Sequence, residues 1–101
     1  MSDAIQVIAE EGEACEWFAV RWDLKELKAV DPDLHARLVE QQRMFRDAQE
    51  AGDLEEICIQ GDATIRGWRA AGRRMEDNEI ERAKQVFTGA TVTSVREKNR
   101  D

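Results

Sequence analysis

From Leu34 onward the apolar positions of the chain advance by four, three, four and three residues, through Leu38, Gln41 and Phe45 to Ala48. That stepping keeps one face of an α-helix apolar and has the mean spacing of a coiled-coil seam. The rhythm resumes at Leu54 and runs through Cys58, Gly61, Ile65, Trp68 and Gly72 to Met75. The flanking residues suit helix ends. Asp31 is a good N-cap, Pro32 fits the first helical position, and Asp33 places negative charge where the helix dipole favours it. A helix over residues 32–51 follows. Gly52 can end it in a left-handed conformation, and Asp53 can cap the next, with Glu56 completing a capping-box pair. With only two residues between them, two such helices fold back as an antiparallel hairpin.

Glycine complicates the second helix. Gly61, Gly67 and Gly72 each cost about 1 kcal/mol relative to alanine in a helix interior. A competing reading makes "EICI" and "ATIRGW" two strands turning at Gly61 and Asp62, so residues 54–67 are open between helix and β-hairpin. The seam passes through Gly61 and Gly72, which on the helical reading let another helix approach closely. Upstream, residues 13–29 form an amphipathic helix with two apolar stripes: Trp17, Val20, Leu24 and Leu27 on one, Phe18 and Trp22 on the other. Residues 4–9, "AIQVIA", fit a short strand or a helical turn equally. Downstream, Ile80, Ala83, Val86 and Phe87 continue the helical pattern until Gly89, and residues 89–101 read as a flexible tail. The expected fold is all-α: a helical hairpin oligomerisation region over 31–88, preceded by an N-terminal helical segment over 1–30. Gln41 either fixes the register of the seam, as single polar groups at such positions do, or turns outward to solvent.

Composition sharpens this picture. A chain of 101 residues that is 42% apolar and 37% charged is one small domain, too apolar for a disordered one. Its N-terminus lacks the basic and apolar regions of a signal peptide, and no window is apolar enough to span a membrane, so a cytoplasmic location is expected. Cys15 and Cys58 match no metal or redox spacing and read as two inert thiols. The formal charge is −7, but it is uneven: residues 1–31 carry −5, residues 32–60 carry −4, and residues 61–101 carry +2. Within that last part, "IRGWRAAGRRM" holds four arginines and no acid.

Catalytic chemistry finds little to work with. His35 is the sole histidine and falls in the first turn of a helix, with no nucleophile in a triad pattern. Glu76, Asp77, Glu79 and Glu81 lack the histidine or glycine-rich loop that would make a metal site of them, and read as a solvated face. The glycine-containing stretches lack the lysine and hydroxyl of a phosphate loop. No enzyme activity, cofactor or metal is expected. The arginines are the better lead. On a helix Arg66, Arg69 and Arg73 line one face, with Arg74 beside them and Arg82 and Lys84 one or two turns on. Planar guanidinium groups suit phosphate oxygens, and the small residues among them admit a nucleic-acid backbone. Alternatively the ridge pairs with the acidic N-terminal third, within the chain or across an oligomer contact. Against the negative field of the whole chain, a few phosphate contacts bind DNA weakly unless an assembly repeats them.

The layout of residues 31–83, "DPDLHARLVEQQRMFRDAQEAGDLEEICIQGDATIRGWRAAGRRMEDNEIERA", resembles the small terminase subunits of tailed phages and gene transfer agents. The resemblance implies a homo-oligomeric ring built from helical hairpins, with Leu34, Leu38, Gln41, Phe45, Leu54, Ile65, Trp68 and Met75 at the hairpin and oligomer seam. It implies double-stranded DNA bound for packaging, and a C-terminal tail that engages the large terminase subunit. Many members carry an N-terminal helix-turn-helix; residues 1–30 are too short and too acidic for one. DNA binding is therefore expected to be weak, largely sequence-independent and carried by Arg66, Arg69, Arg73, Arg74, Arg82 and Lys84. The rival expectation is an antitoxin-like or chaperone-like protein-binding module without nucleic acid, using the face that carries Trp17, Phe18 and Trp22.

Overall fold

The computed structural model describes residues 2–86, with side chains from Ala4 onward. All the regular structure in this span is helical: α1 (Ser2–Arg21), α2 (Leu24–Val30), α3 (Pro32–Ala51) and α4 (Leu54–Val86). The expected tail, residues 89–101, and the terminator Gly89 lie outside the described residues.

The helix boundaries follow from capping. Asp31 accepts a hydrogen bond from the Leu34 amide at 3.0 Å, with Pro32 opening α3 as its fixed φ allows. Gly52 closes α3 at φ +71°, its N–H donating to Ala48 and Gln49. This left-handed conformation suits a residue without a Cβ. Asp53 then accepts from the Glu56 amide at 3.2 Å and starts α4.

At the N-terminal end the structure differs from the single expected helix over 13–29. Residues 4–9 are helical, and α1 runs unbroken from Ser2 to Arg21. A new helix begins after Asp23, whose carboxylate accepts from the Glu26 amide at 2.8 Å while Glu26 returns the bond to the Asp23 amide. That reciprocal box restarts the helix in a new direction. The second stripe carries the core: Phe18 and Trp22 are buried, as is Leu27 of α2, whereas Val20 on the first stripe is 85% exposed.

α4 is the element on which the rest pack. At 1.5 Å per residue its 33 residues span about 50 Å. Against α3, Phe45 meets Gly61, Leu38 meets Gly67, and Asp31 meets Arg74. The two helices thus run in opposite senses. Against α1, Val7 meets Gly61, Trp17 meets Gly72, and Trp22 donates to Glu79 at 2.7 Å, so these two run in the same sense. Residues 54–67 are helix, not a pair of strands. Helix propensity there is overridden by packing: Gly61 lies where α1 and α3 converge, and a Cβ would strike Val7 and crowd Phe45. Gly72 likewise admits the six-membered ring of Trp17. The partner that these glycines let in is α1 of the same chain.

Two apolar clusters result. The larger joins Ala14 and Phe18 of α1, and Trp22 just beyond it, with Leu27, Leu38, Trp68, Ala71 and Met75. Phe18 and Trp68 meet with centroids 5.1 Å apart and planes at 60°, a favourable tilted geometry. The smaller joins Ala4, Phe45, Ala48 and Ile57 near the α3–α4 connection. Between them Gln41 Nε2 donates to Gln60 Oε1 at 2.6 Å. The side chain of Gln41 thus faces inward, a polar contact that fixes the alignment of α3 on α4.

The molecule is long and thin, 61 × 26 × 17 Å. Its charge is polarised along that length. The end holding the α3–α4 connection is built from residues 2–11 and 42–62, which carry nine acids against Arg43 and Arg46.

Candidate functional site: the arginine face of helix α4

The regular 3.6-residue period of α4 sets Arg66, Arg69 and Arg73 on one face, and all three are exposed. Arg66 pairs with Asp62 one turn earlier on the same helix. Arg69 and Arg73 form no ion pair among the described residues. Instead they line a cleft of about 330 Å3 whose other wall is Glu13, Ala14 and Trp17 of α1. The acidic N-terminal third therefore faces the ridge in part, through Glu13.

The remaining cationic positions divide. Arg74 is half-buried and turned to the other side of α4, where its Nε lies 3.4 Å from Asp31 and a terminal nitrogen lies 3.5 Å from the Val30 carbonyl. It fastens α4 to the α2–α3 junction and is separate from the ridge. Arg82 and Lys84 are exposed beyond the last contacts with α1, Arg82 beside Glu79, Ala83 and Val86. Arg21, which the sequence did not mark as a site residue, reaches Glu76 at 2.6 Å and sits over Trp17 with its guanidinium 5.7 Å from the ring centroid. The signal for it was present: Arg21 and Trp17 are four residues apart on one helix.

The expected seam is placed as follows. Leu38, Phe45, Ile65, Trp68 and Met75 are buried within the single chain, and Leu34 and Gln41 are half-buried. Leu54 is exposed, and Ile57 takes the inward place one turn later. The heptad count slips there because Asp53 starts the helix and Ile57, not Leu54, points at Ala4 and Phe45. Any assembly must draw on other apolar groups: Ile5, Val20, Ile59, Ile80 and Val86 are large and exposed.

Other candidate chemistry is absorbed by the fold. Glu76 accepts from Arg21 at the end of α1, and Glu79 from Trp22 just beyond it. Cys15 donates to Glu11 at 3.4 Å, and burial, then the Glu11 carboxylate and that hydrogen bond, push its thiol up to about 12. A thiol so disfavoured as thiolate is a poor nucleophile. His35 is half-buried in the first turn of α3. Phe18 and Trp22 belong to the core, which leaves Trp17 as the accessible aromatic of that segment. No described helix is long and apolar enough to cross a membrane. No family model matches the chain, and no curated protein or solved structure matches it.

Proposed function

We propose that this chain is a non-enzymatic DNA-binding adaptor that works as a homo-oligomer, similar in role to a small terminase subunit. The observation that carries the reading is the exposed row of Arg66, Arg69 and Arg73 on a long helix, two of them without an ion partner among the described residues. Guanidinium groups suit phosphate oxygens, a contact that carries no base preference, which fits binding to the backbone rather than reading of bases. In this reading α3 and α4 are the antiparallel hairpin that assembly presents in several copies. Repetition offsets the weak attraction of one acidic chain for DNA. Arg82 and Lys84 extend the contact, and the C-terminal tail, residues 89–101, is where a large terminase would engage.

The triple variant Arg66→Glu, Arg69→Glu, Arg73→Glu tests this. Electrophoretic retardation of duplex DNA at low salt should be lost, while helix content and native mass stay as in the unaltered protein. Retention of the shifted band by the variant would remove the ridge from the account.

A further inference from the structure

We infer that the cleft between α1 and α4 receives an unpaired nucleotide of single-stranded DNA, with Arg69 and Arg73 on the phosphate and Trp17 stacked on the base. The inference rests on the DNA-binding reading of the arginine face and deepens it by naming the form of DNA. Duplex phosphates need only positive charge. This cleft offers more, because its wall is an indole.

Trp17 is 38% exposed, whereas Trp22 and Trp68 are buried. Its six-membered ring abuts Gly72, and its ring lies edge to face with Trp22, centroids 5.8 Å apart at 82°. Arg21 covers part of it and is itself held by Glu76. The indole is therefore held on those sides, and Trp17 lines the cleft together with Arg69 and Arg73. An aromatic face beside free guanidinium groups is the arrangement by which proteins hold single strands without reading sequence: the backbone follows the positive charge and a base stacks. A base in duplex is already stacked and paired, so it gains nothing from Trp17. Glu13 and the small floor at Ala14 complete the lining. Glu13 opposes a bound phosphate, so it weakens the site it borders.

The measurement is titration of the full-length protein with labelled oligothymidylate of about 16 nucleotides, against a duplex of equal length, at low salt. The single strand should bind about tenfold tighter than the duplex and should quench tryptophan emission, a signal that belongs to the exposed Trp17. Trp17→Leu, which keeps an apolar side chain over Gly72, should bring single-strand affinity down to that for the duplex, with helix content checked by circular dichroism. Glu13→Gln should tighten single-strand binding roughly threefold at low salt. Equal affinity for the two forms, or no quenching in the unaltered protein, overturns the inference even if duplex binding persists. Thymidine monophosphate binding as tightly as the oligomer overturns the strand as the source of the nucleotide. Failure to bind either DNA overturns both this inference and the adaptor reading.

Discussion

Gly61 and Gly72 show how tightly two glycines can be constrained by one neighbouring helix. At Gly61 an added methyl meets Val7 and also Phe45, in the smaller core cluster. Phe45 is packed there, so Gly61→Ala should cost about 1–3 kcal/mol despite the better helix propensity of alanine. At Gly72 the neighbour is the rigid six-membered ring of Trp17, which is held against Trp22 and beneath Arg21. Gly72→Ala should therefore also cost about 1–3 kcal/mol, because the ring must be displaced as a whole. Urea denaturation of the two variants checks both values; a gain in stability at either would contradict this account. The sequence alone marks both glycines as places of close approach, because the seam runs through them. It does not identify the approaching group, since Val7 and Trp17 belong to a helix more than fifty positions away whose alignment no local pattern encodes.

At the scale of elements, α3 was legible to its last residue. Every signal within it agreed: cap, proline, seam and terminating glycine. α1 was not, because its buried stripe of Ala4, Ala14 and Phe18 is widely spaced and mixed with exposed Ile5, Val20 and Trp17. The break at Trp22 and Asp23 was missed for a related reason. Asp23 with Glu26 is a capping box in plain sight, but the apolar period appears to the eye to continue through it into Leu24 and Leu27. The junction at Asp31 is the matching feature on the other side of α2. That one residue ends α2, caps α3 and pairs with Arg74 of α4. Asp31→Ala should therefore destabilise by about 1–2 kcal/mol, more than an ordinary exposed cap, whereas Arg74→Gln should cost under 1 kcal/mol. Thermal melts compare the two. Because Arg74 faces the junction, its substitution should also leave DNA retardation close to that of the unaltered protein, in contrast to Arg69.

For the whole molecule, the main lesson concerns where the apolar seam goes. Read from sequence, it asks for neighbours from other copies; in the fold, α1 and α2 supply them for Leu38, Trp68 and Met75. A chain that satisfies its own seam leaves no periodic signal for any surface between copies, whereas the arginine row, a local pattern on one helix, was legible. The adaptor reading still needs several copies. Multi-angle light scattering should return a defined multiple of the 11.6 kDa chain, held together by exposed groups such as Ile5, Val20 and Ile80. A mass of one chain at high concentration would remove the avidity on which weak phosphate contacts depend.

The crowding of carboxylates around the α3–α4 connection bears on posture. A slender body with one strongly anionic tip cannot lie flat on another polyanion; the tip is pushed off and the opposite part swings in, much as a needle turns in a field. If the adaptor reading holds, each copy would meet DNA tilted, with the Gly52 bend pointing outward, and in a closed set of copies those bends would form a negatively charged rim confining the strand to one side.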